Sequence, residues 1–304
     1  MGIRLYKEPM LERPDLIASW PGIGNIGLIA VDTLRSQVKA EELGEIEGWD
    51  FFYPKKVVIR DGVLQDLEFP SNKFYYKRLV KKDLIFFIAE EQPTDAGRLY
   101  AEGSKAYDMA NLVLDVAEKF GCRRIYTSGA AVSLIHHTLK PRVWAVSTSK
   151  GLNRELKSYE NTILMGKVEG RGDHGSISGL NGLLLGLAKK RGFEAICLMG
   201  EVPDYLSAAP FPYPKASKSV LEVFTKILGV DIDYDTIDQM VVQVDEVVNG
   251  IYEKLPPEIR ERVEQRRGIF QPKAEAISEE DEKWIKEHID DLFRKGGRGD
   301  ERAS

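Results

Sequence analysis

The sequence predicts an α/β protein, a three-layer α/β/α sandwich built on a mixed, largely parallel sheet and followed by C-terminal helices. Three observations predict it. Between Leu16 and Met199, short apolar runs bounded by Gly and Pro recur at the length of buried strands. Amphipathic stretches at helical spacing separate several of these runs, the alternation that βαβ units produce. Beyond Pro214 only helical periodicity remains. These shifts divide the chain into an α/β core over 1–214, a helical region over 215–294 and a polar, disordered tail over 295–304.

In order, residues 1–15 are polar and form an irregular lead or an edge strand. Leu16–Trp20 is an apolar run that stops at Pro21, the mark of a buried strand entering a tight turn. From Ile26 the period changes: Ile26, Ile29, Ala30, Thr33 and Leu34 line one helical face. Residues 40–47 carry acids throughout and show no clean apolar strand. Gly48–Leu79 reads as an antiparallel excursion. Within it Asp61-Gly62 joins Val57–Ile59 to Val63–Phe69, and Asp-Gly suits the hairpin turn with positive φ at both central residues.

Asp83–Glu90 is the clearest buried strand. A helix follows over about 98–120 and is ended by Gly121 as a C-terminal cap. Arg124–Thr127, Val143–Ser147, Thr162–Val168 and Ala195–Met199 are further strands, with a helix over Ile177–Lys190. The proline-rich loop Pro203–Pro214 contains Tyr205, Phe211 and Tyr213, and is the expected partner contact, since aromatic anchors are enriched at interfaces. Farther on, Ile237, Met240, Val241, Val244, Val247, Val248 and Ile251 form a helical stripe that covers either the core or a partner helix. Trp284, Ile285, Ile289, Leu292 and Phe293 line a terminal helix.

The stretch Pro21-Gly22-Ile23-Gly24-Asn25-Ile26-Gly27 contains the string Gly-x-Gly-x-x-Gly between a strand and a helix. Two readings compete. Such a loop lets backbone amides approach a phosphate at a helix N-terminus. It also lets a helix cross close to its strand, with Asn25 as a cap. The acidic, strandless stretch after the helix does not supply the ribose-binding carboxylate in its usual place, so the loop is read as structural.

Ligands of open α/β sheets sit beyond the carboxyl ends of the strands. Those ends collect Asn25, Glu90, Glu91, Gln92, Ser128, His174 and Glu201. An enzyme in this cleft would use Glu91, His174 and Glu201 as acid–base groups, with Arg171 receiving an anion and Tyr205 nearby. The structural alternative is that these carboxylates bond only to loop amides. Gly-x-Ser-x-Gly and the phosphate-binding P-loop are both absent. His136-His137 would point to different faces of a strand or helix, so no shared metal is expected there. Neither a cofactor nor a metal site is predicted.

Composition sets the outer bounds. Of 304 residues, 43% are hydrophobic and 30% charged, which is ordinary for a globular chain with a sizeable core. A net charge of −5 argues against a general nucleic-acid binder. The two cysteines lie in or beside apolar runs, as reduced core residues do. No apolar run reaches the length of a membrane span, and MGIRLYKEPM has no signal-peptide core, so a cytoplasmic protein is expected.

Three motifs in order carry a resemblance. PGIGNIG after the first strand, Glu91-Gln92-Pro93, and Gly200-Glu201-Val202-Pro203-Asp204-Tyr205 with Pro214 and Ala216 together resemble the proteasome assembly chaperone family, in its archaeal and bacterial branch, over about residues 10–250. The resemblance implies a phosphorylase/hydrolase-like fold, no catalysis, homo-oligomerisation and contact with proteasome subunits. Some archaeal members dock through a C-terminal hydrophobic–tyrosine–any-residue tail. This chain departs there, ending Arg302-Ala303-Ser304, which puts that mode of docking in doubt. The fold is also shared with nucleoside-phosphorylase- and hydrolase-like enzymes, the alternative reading for the cleft.

Overall fold

The computed structural model describes residues 2–93, 103–167, 175–268 and 283–288. Its strands are β1 (Ile3–Leu5), β2 (Asp15–Ser19), β3 (Glu41–Ile46), β4 (Lys56–Arg60), β5 (Val63–Glu68), β6 (Asn72–Lys77), β7 (Leu84–Ala89), β8 (Arg124–Ser133), β9 (Val143–Ser147), β10 (Thr162–Leu164) and β11 (Glu194–Pro203). Its helices are α1 (Ile26–Gln37), α2 (Gly103–Lys119), α3 (Lys150–Leu156), α4 (Gly179–Lys190), α5 (Pro214–Leu228), α6 (Asp235–Glu253) and α7 (Pro257–Glu264). One sheet runs β1-β3-β6-β7-β2-β8-β11-β9-β10. Its centre, β7-β2-β8-β11, is parallel, while β1, β3 and β6 on one side and β9 on the other pair antiparallel with their inner neighbours.

Alternate residues of the central strands supply opposite faces. Ile17, Leu84, Phe86, Tyr126, Ile196 and Leu198 pack with α1, α3, α5, α6 and α7. Leu16, Ala18, Ile85, Phe87, Ile125, Ala195 and Cys197 pack with α2 and α4. This makes three layers. Ile237, Val248 and Ile251 of α6 are buried, while Val242 and Val247 stay exposed, so the helical stripe covers the core along only part of its width.

Several local rules are visible directly. Asp61 and Gly62 have φ of 51° and 76°, the turn that Asp-Gly favours. Gly121 has φ of 63°, and Cys122 N–H donates to Ala117 O at 2.8 Å across it, closing α2. β3 is a correction to the sequence reading. Glu41 and Glu42 face solvent while Leu43 and Ile46 are buried, so a half-buried strand between β1 and β6 lacks the continuous apolar run that marks a central one. β8 and β11 are also longer than the apolar runs that predicted them. Their second halves overhang the end of β2, pairing Ser128–Ser133 with Leu198–Pro203.

The glycine loop lies on that overhang. A Cβ at Gly27 would stand 2.5 Å from Ser128 O and 2.9 Å from Gly129 N, so α1 touches the β8 backbone where only glycine fits. Gly24 has φ of 56°, and a Cβ there would meet Tyr213 Cβ at 2.9 Å. Gly22 is extended at φ −165°, with nothing within 4 Å of its Cβ position. Asn25 adopts φ of 48° and its side chain makes no capping hydrogen bond, which corrects the expected cap. The turn is held instead by Asn25 N–H donating to Gly22 O at 2.9 Å. We expect Gly24→Ala to lower unfolding stability by about 1 kcal/mol or more, from positive φ and the crowded Tyr213 contact. Gly22→Ala should leave stability nearly unchanged. Urea unfolding of both variants checks the contrast.

Candidate functional site

Among the described residues, Glu201 and Ser128 are committed to contacts within the framework. Glu201 is fully buried. Its carboxylate accepts from Arg142 Nη2 at 2.8 Å and Nε at 3.1 Å, from the Arg142 backbone N–H at 2.9 Å and from Trp144 Nε1 at 2.8 Å. A carboxylate held by a guanidinium, an amide and an indole is a structural anchor between β11 and the start of β9. Ser128 is equally committed, its hydroxyl donating to Leu198 O at 2.9 Å inside the sheet. Glu90 accepts from Lys55 Nζ and Ser71 N–H, each at 2.7 Å, and Glu91 is exposed. Arg171 and His174 lie outside the described residues.

Gln92 has a definite task. Its Nε2 donates to Pro21 O at 2.5 Å and its Oε1 accepts from Leu180 N–H at 3.1 Å. One side chain thus ties the turn after β2 to the first turn of α4. Tyr213 N–H donates to Gly24 O at 2.8 Å. The carbonyls of Pro21, Gly22 and Gly24 are therefore all taken by donors of the chain itself, and Ile26 in the first turn of α1 is buried. The loop's carbonyls are thus engaged by its own chain, while Gly22 and Asn25 stay exposed.

The aromatic loop is also internal. Tyr205 and Tyr213 are 5% and 2% exposed, and Phe211 is half-buried against the core. This corrects the expectation of an exposed contact patch there. The two tyrosines are anchors that seat α5 on the glycine loop and β11 on the C-terminal helices.

Sequence reasoning missed the cluster around Tyr205. His136 and His137 fall in a turn after β8, in neither strand nor helix, so their rings can lie together at 4.2 Å between centroids. Both are buried. Tyr205 OH accepts from His137 N–H and bonds His137 Nδ1, each at 2.9 Å, while His137 Nε2 faces Asn249 Oδ1 at 3.2 Å. With the proton on Nε2, the neutral ring satisfies both partners. Tyr252 packs on both imidazoles and donates to Glu264. Buried Arg266 pairs with Asp204 and lies over the Tyr205 ring. Lys215 donates to His137 O and pairs with Asp245. The cluster bolts α5, α6 and the end of α7 to the β8 and β11 ends. The adjacent histidines were the only signal in the sequence, and their partners lie about 70 to 130 residues away in the chain.

Among the described residues no group of three or more His, Cys, Asp and Glu is placed to hold a metal, and no helix is long and apolar enough to cross a membrane. What the molecule presents outward is the β4–β5 hairpin, a separate two-stranded sheet. Val57 opposes Leu67 and Ile59 opposes Leu64, and the extra residue Gln65 keeps these four on one face. Val57, Ile59 and Leu64 are 52%, 66% and 62% exposed.

The fold is thus a mixed-sheet α/β/α sandwich in which Glu201 is tied into the framework and Tyr213 packs on the glycine loop. The model of the PAC2 family matches residues 16–251, and the chain belongs to that family. It is 30% identical over 245 residues to the uncharacterized protein MJ1210 of Methanocaldococcus jannaschii, covering 80% of this chain and 84% of that one. Among solved structures it is similar to Pyrococcus furiosus PbaB, an archaeal proteasome activator, at 30% identity and a TM-score of 0.68, covering 82% of this chain and 98% of that one. Pyrococcus furiosus PbaA, an archaeal homolog of proteasome-assembly chaperone, shares the fold at 23% identity and a TM-score of 0.61, covering 87% of this chain and 96% of that one.

The histidine pair gives the fold a pH dependence. Burial, then the neighbouring His136, holds His137 down to about 4, and burial, with Arg267 next, also lowers His136. A histidine whose folded value lies below its unfolded value of about 6.5 favours folding in the neutral form. The unfolded chain then binds more protons between these values, so stability is complete above about pH 6.5 and falls as pH drops toward 4. Melting curves at stepped pH should show this decline, and it should be shallower in His137→Gln.

Proposed function

We propose that this protein is a non-catalytic assembly chaperone or scaffold that works through protein contacts on a proteasome-related client and as a homo-oligomer. Family membership and the likeness to PbaB support the proteasome connection. The observation that carries the contact role is the amphipathic β4–β5 hairpin. An isolated two-stranded hairpin is marginal in water, and an apolar face needs a cover.

A second copy of the chain is the cover that is always available at matching concentration. The hairpin suits a contact of the same patch with itself. Its apolar residues share one face, while Lys56, Arg60, Asp66 and Glu68 mix both signs around it, and Lys56 pairs with Glu68 across the strands. The exposed valines of α6 leave a second surface for a client.

Light scattering at tens of micromolar should give a mass well above 34.3 kDa. Ile59→Asp with Leu64→Asp should shift the protein to monomer without lowering its unfolding temperature. A wild-type monomer overturns the homo-oligomer, and an unchanged assembly in the double variant overturns the hairpin as its interface. Purified archaeal proteasome core particles should co-sediment with the wild-type protein. Absence of co-sedimentation, together with nucleoside turnover abolished by Glu201→Ala, would replace the scaffold with an enzyme.

A further inference from the structure

The two strands of the β4–β5 hairpin carry opposite charge. The ionised side chains of β4 are both basic, Lys56 and Arg60. Those of β5 are both acidic, Asp66 and Glu68. All four residues are exposed, and they share the face opposite Val57, Ile59, Leu64 and Leu67. Inside the hairpin Lys56 Nζ meets Glu68 Oε2 at 2.9 Å. Among the described residues neither strand pairs with a third, so each outer edge leaves alternate backbone N–H and C=O groups without a ladder partner.

These features decide how two copies can meet edge to edge. A two-fold axis that lays β4 on β4 sets Lys56 and Arg60 against the same basic pair of the other copy. Laying β5 on β5 does the same with Asp66 and Glu68. Like charges on facing strands are unfavourable and opposite charges favourable. Only β4 of one copy against β5 of the next matches the signs, and it repeats the pairing already present within the hairpin. Such a contact joins two different patches, so it closes by rotation into a ring. Rotation about an axis along the hairpins keeps all of them pointing one way. The β5 of one copy then runs antiparallel to the β4 of its neighbour, as that ladder requires.

We propose that the hairpins of several copies close into one up-and-down barrel, each β4 paired with the β5 of the neighbouring copy. This rests on the reading of the hairpin as the homo-oligomer contact. Closure removes both free edges of every hairpin. Val57, Ile59, Leu64 and Leu67 of each copy turn inward and meet at the axis, while Lys56, Arg60, Asp66 and Glu68 face water. Each copy supplies two strands, and a barrel of about eight strands is as wide as side chains alone can fill. An apolar lining excludes a wider, water-filled lumen, so the ring holds three or four copies.

The test uses the full chain. Light scattering should give a mass of three or four copies. Cys122 and Cys197 are buried and stay silent to mild oxidation, so single introduced cysteines report the contact. Val58→Cys on β4 is oxidised alone, and then after co-expression with Val63→Cys or Asp66→Cys on β5. Val63 and Asp66 oppose Arg60 and Val58 within the hairpin and so sample two registers. No single variant should form a disulfide-linked dimer by itself, and co-expression should produce one in at least one of the two combinations. Lys56→Glu with Arg60→Glu should release monomers, and adding Asp66→Lys with Glu68→Lys to the same chain should restore the assembly. The ring is overturned by a two-copy assembly, by a disulfide in a single variant alone, by none in either combination, or by an assembly that survives charge reversal of β4 alone. In each of these cases the homo-oligomer reading stands if Ile59→Asp with Leu64→Asp still gives monomers. A wild-type monomer overturns both.

Discussion

The structure depends on a single close approach. Helix α1 lies against the backbone of β8 at Gly27, where no side chain could stand between them. That contact sets how far α1 sinks onto the sheet, and α5 then packs beside it. Tyr213, at the start of α5, bonds Gly24 O and lies over Gly24. Through Gly24 and Gly27, β2, β8, α1 and α5 become one unit. The overhanging halves of β8 and β11 supply the surface on which this unit rests.

From this packing follows the fate of the polar groups at the strand ends. Side chains that enter this packing are largely committed to partners within the chain. Glu201 is enclosed by Arg142 and Trp144, and Gln92 spans two loops. The His136–His137–Tyr205 group, with Arg266, fastens the C-terminal helices in the same way. Polar residues at these positions resemble an active site in sequence because both uses require buried, oriented hydrogen-bonding groups. They differ in what is left over: here most of the capacity is taken within the chain.

The sequence made the architecture legible where a pattern is local. Continuous apolar runs marked β2 and β7, Asp61-Gly62 marked the hairpin turn, and Gly121 marked the end of α2. β3 was not legible, because this strand between β1 and β6 buries Leu43 and Ile46 among acids and so shows no continuous apolar run. The aromatic residues of 203–214 were misjudged as surface because proline-rich loops are usually exposed. Their burial comes from α1 and α6, far away in sequence. The histidine cluster was illegible for a related reason, since ring stacking of neighbours requires a turn that two residues alone do not specify. The outward apolar face of β4–β5 could be read only once the bulge at Gln65 fixed which residues share a side.

The central claim is that Pro21–Gly27 is a packing device and that the protein acts through contacts. Calorimetric titration of the wild-type chain with NAD, NADP and ATP tests it most directly. The account predicts no saturable heat with any of the three. Saturable binding that disappears in Gly24→Ala while the unfolding free energy stays unchanged would contradict it, because the loop would then be serving a phosphate rather than the fold.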